Sequence, residues 1–213
     1  MRSPPFRKAA TDARPYGTHR FDVYGPKVGR RLTLFGHRAL QLWLRLESNP
    51  QVVTYCERPL SFREKRGDRA ADFWVCADQG ELLYIVLRPS EVALAARGLC
   101  LHPALEAWSR ANSITLRAIA PHELDDSETL CQNRLTMLHY QAAGTAPSGS
   151  DILPAILMAC ESGETLAELE QRFIALDPMV VRAAAFSLVL NGSLCCPTLA
   201  ERALGPHSRL VTR

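Results

Sequence analysis

Residues 69–91, RAADFWVCADQGELLYIVLRPSE, decide how the chain is read. Asp72 stands just ahead of an apolar run, FWVCA. The stretch DQGE then supplies a glycine-containing hairpin turn, and LLYIVLRP follows as a second strand. Side chains two apart on a strand share a face. An acid at the start of the hairpin therefore converges with a pair of residues two apart at its end. Such a convergence is one compact solution for Mg²⁺-dependent phosphodiester hydrolysis, though many hairpins begin with Asp. Hard oxygen ligands hold the ion, and a positive group stands near the attacking water or the scissile phosphate. Here the hairpin ends in Val86, Leu87 and Arg88. The frame is present, with one carboxylate in it.

Outward from the hairpin, GHRALQLWLRLESNP reads as a buried apolar helix stopped by Asn49-Pro50. QVVTYCERPLSFRE reads as a strand followed by a proline-broken edge strand, and REKRGDR as a charged turn. SEVALAARG and HPALEAWSRAN are helical, SITLRAIA alternates like a strand, and PHELDDSETLCQNRLTMLHYQAAG becomes helical. Helix, three or four strands, helix, strand, helix describes an α/β or α+β domain. GTAPSGS, residues 144–150, is a linker of small and turn-forming residues. Beyond it lie an apolar helix, a helix capped by Thr165 with Glu168 three residues on, and a third helix opened by Asp177-Pro178 and stopped by Gly192. Strand-like pieces end the chain. Three helices and a strand pair are the layout of a winged helix-turn-helix.

The 213 residues carry a net charge of +3, unevenly spread. Residues 1–31 hold eight Lys or Arg against two Asp, an expected solvated basic arm suited to phosphates. From Ser150 onward five Arg face seven acids. No apolar run reaches membrane-spanning length, and the first residues lack an apolar signal core, so a cytoplasmic protein with no membrane partner is expected. Seven scattered cysteines fit reduced thiols. Only three lysines occur, Lys8, Lys27 and Lys65, and none follows Asp72.

Several segments, in order, resemble the TnsA family, the endonuclease subunit of heteromeric cut-and-paste transposases. ADFWV is similar to the family's PDF-x-V, VLRP to its E/Q-V-K-P, and GHRALQLWLRLESNPQVVTYCERP to its helix and QP strand. SITLRAIAPHEL with NRLTMLHY looks like the strand and helix that close its nuclease domain, and GETLAELEQRF through SRLV like its winged helix. The resemblance implies a restriction-endonuclease-like (PD-(D/E)xK) α/β domain over residues 20–143 and a winged helix over 151–213. Transferred by position, the family's catalytic Asp is Asp72. Its helix Glu falls on Ala39 (Arg38 if the register slips by one), its Glu or Gln on Val86, its Lys on Arg88 and the Gln of its QP on Arg58.

Substitutes are poorly placed. Glu47 lies about 12 Å along the helix axis from Ala39. His37 projects to another side of that helix, and Glu81 lies in the turn. Arg88 is a poor proton-transfer group. The expectation is a pseudo-enzyme without a cofactor. It would hold DNA through Lys27, Arg30, Arg31, Lys65, Arg66, Arg69 and Arg88, with Arg63 beside them, and would contact an integrase-like transposase and an ATPase regulator. Two alternatives stay open. One is a working Mg²⁺ endonuclease with rearranged ligands. The other is a winged-helix regulator or adaptor unrelated to transposition. The helix over 178–190 carries one charge, Arg182, so it fits a core or a protein-docking face better than a DNA-reading one.

Overall fold

A computed structural model of the chain describes residues 6–64, 67–143 and 152–213. The chain is a mixed α/β protein that divides into two compact units. The first comprises residues 1–46 and 51–125, the second 47–50 and 126–213. No helix among the described residues is long and apolar enough to cross a membrane.

The first unit opens with a hairpin, β1 (Arg20–Gly25) and β2 (Arg30–Phe35), where a solvated arm was expected. Its two alternating strands flank a Gly-Pro turn. Gly25 is required there, because a Cβ would stand 2.4 Å from the Tyr55 hydroxyl. Helix α1 (His37–Ser48) follows, then β3 (Val52–Glu57). The segment expected as an edge strand and charged turn is a separate hairpin, β4 (Ser61–Glu64) with β5 (Gly67–Ala70). Strands β6 (Phe73–Ala77) and β7 (Gly80–Val86) are the hairpin read from sequence, and Gly80 takes the positive φ its turn requires. Helices α2 (Pro89–Ala95) and α3 (Pro103–Ala111), strand β8 (Thr115–Ile119) and a 3₁₀ turn (Pro121–Leu124) complete the unit.

The main sheet runs β3-β6-β7-β8. Strand β6 is antiparallel to both neighbours, and β8 is parallel to β7. Phe73, Trp74 and Val75 are all buried, as a strand covered on both faces requires. Alternation sends Trp74 into a core with Cys56, Leu83, Ile85 and Leu105. Phe73 goes the other way, edge-on to Tyr55, whose hydroxyl accepts from the Trp43 indole of α1 at 2.7 Å. Each large side chain buried this way contributes about 1.5–3 kcal/mol. The N-terminal segment is docked as well. Phe6 packs on Trp74 and Trp108, and the Ala10 N–H donates to the Arg58 carbonyl at 2.8 Å.

The second unit is built on α7 (Pro178–Leu190), packed by α4 (Glu128–Ala142), α5 (Ile152–Ala159) and α6 (Leu166–Arg172). A small antiparallel sheet of order β10-β11-β9 joins Leu194–Cys195, Arg209–Thr212 and Glu164–Thr165. The Thr165 capping box forms, and Asp177 caps α7 through the Met179 N–H at 2.8 Å. Ala183–Phe186 are buried on every side of α7. Helix α4, expected to close the first domain, belongs to the second unit. Its Tyr140 ring meets Phe186, and its Gln141 amide donates to the Ala183 carbonyl. The buried Asn133 side chain donates to the carbonyls of Leu199 and Arg202 and accepts from the Leu204 N–H. The boundary thus falls after Asp125 and not at 143. The linker expected at 144–150 lies outside the described residues. None of the seven cysteines forms a disulfide.

Candidate functional site

Asp72 precedes β6, where its backbone extends the sheet. Its N–H donates to the Tyr84 carbonyl, and its carbonyl accepts from the Arg58 N–H, each at 2.9 Å. This pins the side chain at the end of β7, where Oδ2 accepts from the Val86 N–H at 2.7 Å. Burial pushes the Asp72 carboxyl up to about 6, against the pull of the Val86 N–H and the nearby Arg69.

Asp72 lines a cleft of about 600 Å³ that also takes in Ala39, Arg58, Arg69 and Arg88. Positions chosen one by one from the sequence are therefore brought together: Ala39, Asp72, Arg88 and Arg58 share one wall system, and Val86 reaches Asp72 through its backbone. Arg58 anchors the N-terminal segment there. It donates from Nε to the Thr11 carbonyl at 2.8 Å and from a terminal nitrogen to the Thr33 carbonyl at 2.6 Å, and its guanidinium lies over Phe35. Its φ of 42° is strained for a side-chain-bearing residue, a cost of about 1–3 kcal/mol that these contacts offset. Thr11, Arg14 and Pro15 consequently form part of the cleft lining.

Beside the cleft sits a charge network that no motif announced. Arg69, on β5, donates to Glu64 Oε1 at 3.2 Å, to both Glu91 oxygens at 2.8 and 3.0 Å, and to the Val86 carbonyl at 2.7 Å. Arg88 donates from its side chain to Glu64 Oε2 at 2.9 Å and from its backbone to Glu91 Oε2 at 2.8 Å. His102 Nδ1 stands 3.5 Å from Glu64 Oε1, while its Nε2 is buried without a hydrogen-bond partner. Burial and the nearby Arg69 hold the His102 imidazole below its ordinary range. Burial opposes ionisation of Glu91, but the Arg88 N–H and the Arg69 guanidinium outweigh it and hold the carboxyl below its usual range.

The other predicted phosphate contacts divide by their surroundings. Lys27 donates to the carbonyls of Leu46 and Val52 at 3.0 and 2.9 Å. Arg30 forms a two-pronged pair with Glu57 at 2.8 and 2.5 Å. With Arg69, these cations are engaged by the protein itself. Arg31 is exposed, Arg63 is exposed beside Asp68 at 3.2 Å, and Arg88 remains half-exposed at the cleft. Lys65 and Arg66 lie outside the described residues. Glu81 accepts from the Trp74 indole at 2.8 Å, Glu47 is buried, and His37 packs on His19 and Phe21.

A divalent ion held at the family positions would need Asp72 and a second oxygen donor. Ala39 and Val86 offer none from their side chains, and Asp72 already accepts the Val86 N–H. The side chains at those positions do not fit Mg²⁺. Among the described residues, the group of three ligand-type side chains within mutual reach is Glu64, Glu91 and His102, within 4.8 Å of one another, and Arg69 is bonded to both carboxylates. Comparison with protein-family models finds no match, and a search of curated proteins finds no significant relative.

Proposed function

We propose that the chain is a TnsA-like accessory subunit of a DNA transposition complex, a nuclease-like scaffold that holds DNA and partner subunits without making the cut. The observation that carries this reading is the cleft that gathers Ala39, Asp72, Arg58 and Arg88 at the ends of β6 and β7. The β3-β6-β7-β8 sheet, with β6 antiparallel to its neighbours and β8 parallel to β7, supports the α/β part of this reading. What the cleft presents to a ligand is guanidinium and not a metal. Arg88 and Arg14 line it, and Arg31 is exposed on the neighbouring hairpin, so backbone phosphates are the fitting partner.

The second unit is read as the winged helix that meets the protein partners. Helix α7 is buried along most of its length, and Arg182 pairs with Glu170 and Tyr140. The surface before and at its start offers Ile174, Leu176 and Met179, which are apolar. That surface lacks the cations a DNA-reading helix presents and suits an integrase-like transposase or an ATPase regulator.

The test is fluorescence anisotropy with duplex DNA, paired with a nicking assay in Mg²⁺ and Mn²⁺. Binding is expected to weaken steeply with salt and to lose affinity in Arg88→Ala and Arg31→Ala, with no cleavage. Metal-dependent nicking that Asp72→Ala abolishes overturns the pseudo-enzyme reading and establishes the rearranged-ligand endonuclease. Salt-insensitive binding, or none, removes DNA as the partner.

A further inference from the structure

We propose that the Arg69 guanidinium is a built-in substitute for a divalent cation, seated in a ligand cluster that binds a metal ion once the guanidinium is removed. The cluster is assembled from three separate places: Glu64 at the end of β4, Glu91 in the first turn of α2, and His102 just ahead of α3. Their ligand atoms lie within 4.8 Å of one another, close enough to share one ion. Arg69 enters from β5 and meets four oxygens, Glu64 Oε1, both Glu91 oxygens and the Val86 carbonyl, at 2.7–3.2 Å. Two carboxylates and a backbone carbonyl are the donor types that hard cations take.

Burial gives the arrangement its force. The side chains of Arg69, Glu64, Glu91 and His102 are 10, 14, 14 and 8% exposed. Two carboxylates removed from water need positive charge beside them. Arg69 supplies one charge from inside the cluster, and the half-exposed Arg88 supplies another from its rim. A divalent ion at the position of Arg69 balances both carboxylates by itself. His102 adds an imidazole nitrogen to the set, and its Nε2 is buried without a hydrogen-bond partner. Imidazole and carboxylate together suit Mn²⁺ as well as harder ions. The Arg69 guanidinium also occupies the Val86 carbonyl at the end of β7. The inference rests on the cluster alone and stands whether or not the protein binds DNA.

The experiment titrates Mn²⁺ into full-length wild type, Arg69→Ala and Arg69→Gln, reading free Mn²⁺ by electron paramagnetic resonance and folding by circular dichroism. Wild type is expected to show no saturable site, and Arg69→Ala one site at least about tenfold tighter than any wild-type binding. Adding Glu91→Gln to Arg69→Ala should remove that site. Equal binding by wild type and Arg69→Ala overturns the proposal, as does a gained site that survives Glu91→Gln. If the Arg69 variants unfold without metal, Mn²⁺ must restore their folded signal, and failure to do so in both variants also overturns it.

Discussion

Each unit of this protein contains a polar network, and the two are built on opposite principles. In the first, Arg69, Glu64, Glu91 and Arg88 hold one another by charge. In the second, the neutral amide of Asn133 on α4 holds three backbone groups of the segment 199–204. Asn133 has both amide functions satisfied by main chain, so nothing in its surroundings depends on pH or on a dissolved ion. The charged centre balances only while every member is present, and it faces a cleft. A neutral centre serves as a fixed stitch, and a charged one can exchange its cation.

Four perturbations break or sharpen that contrast. Arg69→Ala leaves two mostly buried carboxylates short of a cation, so the first unit should lose about 3–5 kcal/mol. The three tryptophans, Trp43, Trp74 and Trp108, all lie in that unit, so their fluorescence follows it alone. A loss below about 1 kcal/mol would make the network a surface feature. Asn133→Ala orphans the Leu204 N–H and two carbonyls, and should cost the second unit about 2–3 kcal/mol. Far-UV circular dichroism should record that loss while tryptophan fluorescence stays in place, with the same cost at pH 5.5 and 8. A pH-dependent cost would contradict the neutral-stitch account.

Asp72→Asn should go the other way. The Asp72 carboxyl ionises near 3.8 when unfolded and near 6 in the fold, so between those values the folded chain keeps a proton that the unfolded chain has lost. Its contribution to stability therefore falls as pH rises from about 4 to about 6, and the full penalty stands above that window. Asparagine carries no such penalty and can still accept from the Val86 N–H. The variant should gain about 2 kcal/mol at pH 7.5 and nothing at pH 3.5, read by urea unfolding. A variant weaker than wild type at pH 7.5 would mean that the carboxylate charge is needed by Arg69. The smallest effect belongs to Thr165→Ala. It removes a cap from the α6 start in the second unit and should cost about 1 kcal/mol at neutral pH, measured by thermal melting.

The hairpin of β6 and β7 was legible because Phe73-Trp74-Val75 is apolar on both faces and Gly80 marks the turn. The caps at Thr165 and Asp177 were legible because their chemistry is local. Hairpin β1–β2 carried a readable signal, alternating VYG and RLTLF around Gly-Pro, obscured by the run of arginines. The placement of α4 was not readable. Its partners, Ala183 and the carbonyls of Leu199 and Arg202, are far along the chain, and nothing in NRLTMLHY names them. The site divides in the same way. Ala39, Asp72, Arg58 and Arg88 could be placed by position in a frame. The cluster of Glu64, Glu91 and His102 could not, since it forms only when the β4–β5 hairpin folds over the end of β7. That closure also turned Arg69 from an expected phosphate contact into an internal cation.

The docking of Phe6 between Trp74 and Trp108 has a consequence for anything joined ahead of it. Thr11 lines the cleft five residues later, and five residues reach at most about 18 Å. A peptide or domain fused before Phe6 is therefore leashed to the mouth of the cleft. Its local concentration there is expected to reach the millimolar range, so a weak ligand carried on that leash would compete with a tight one in solution.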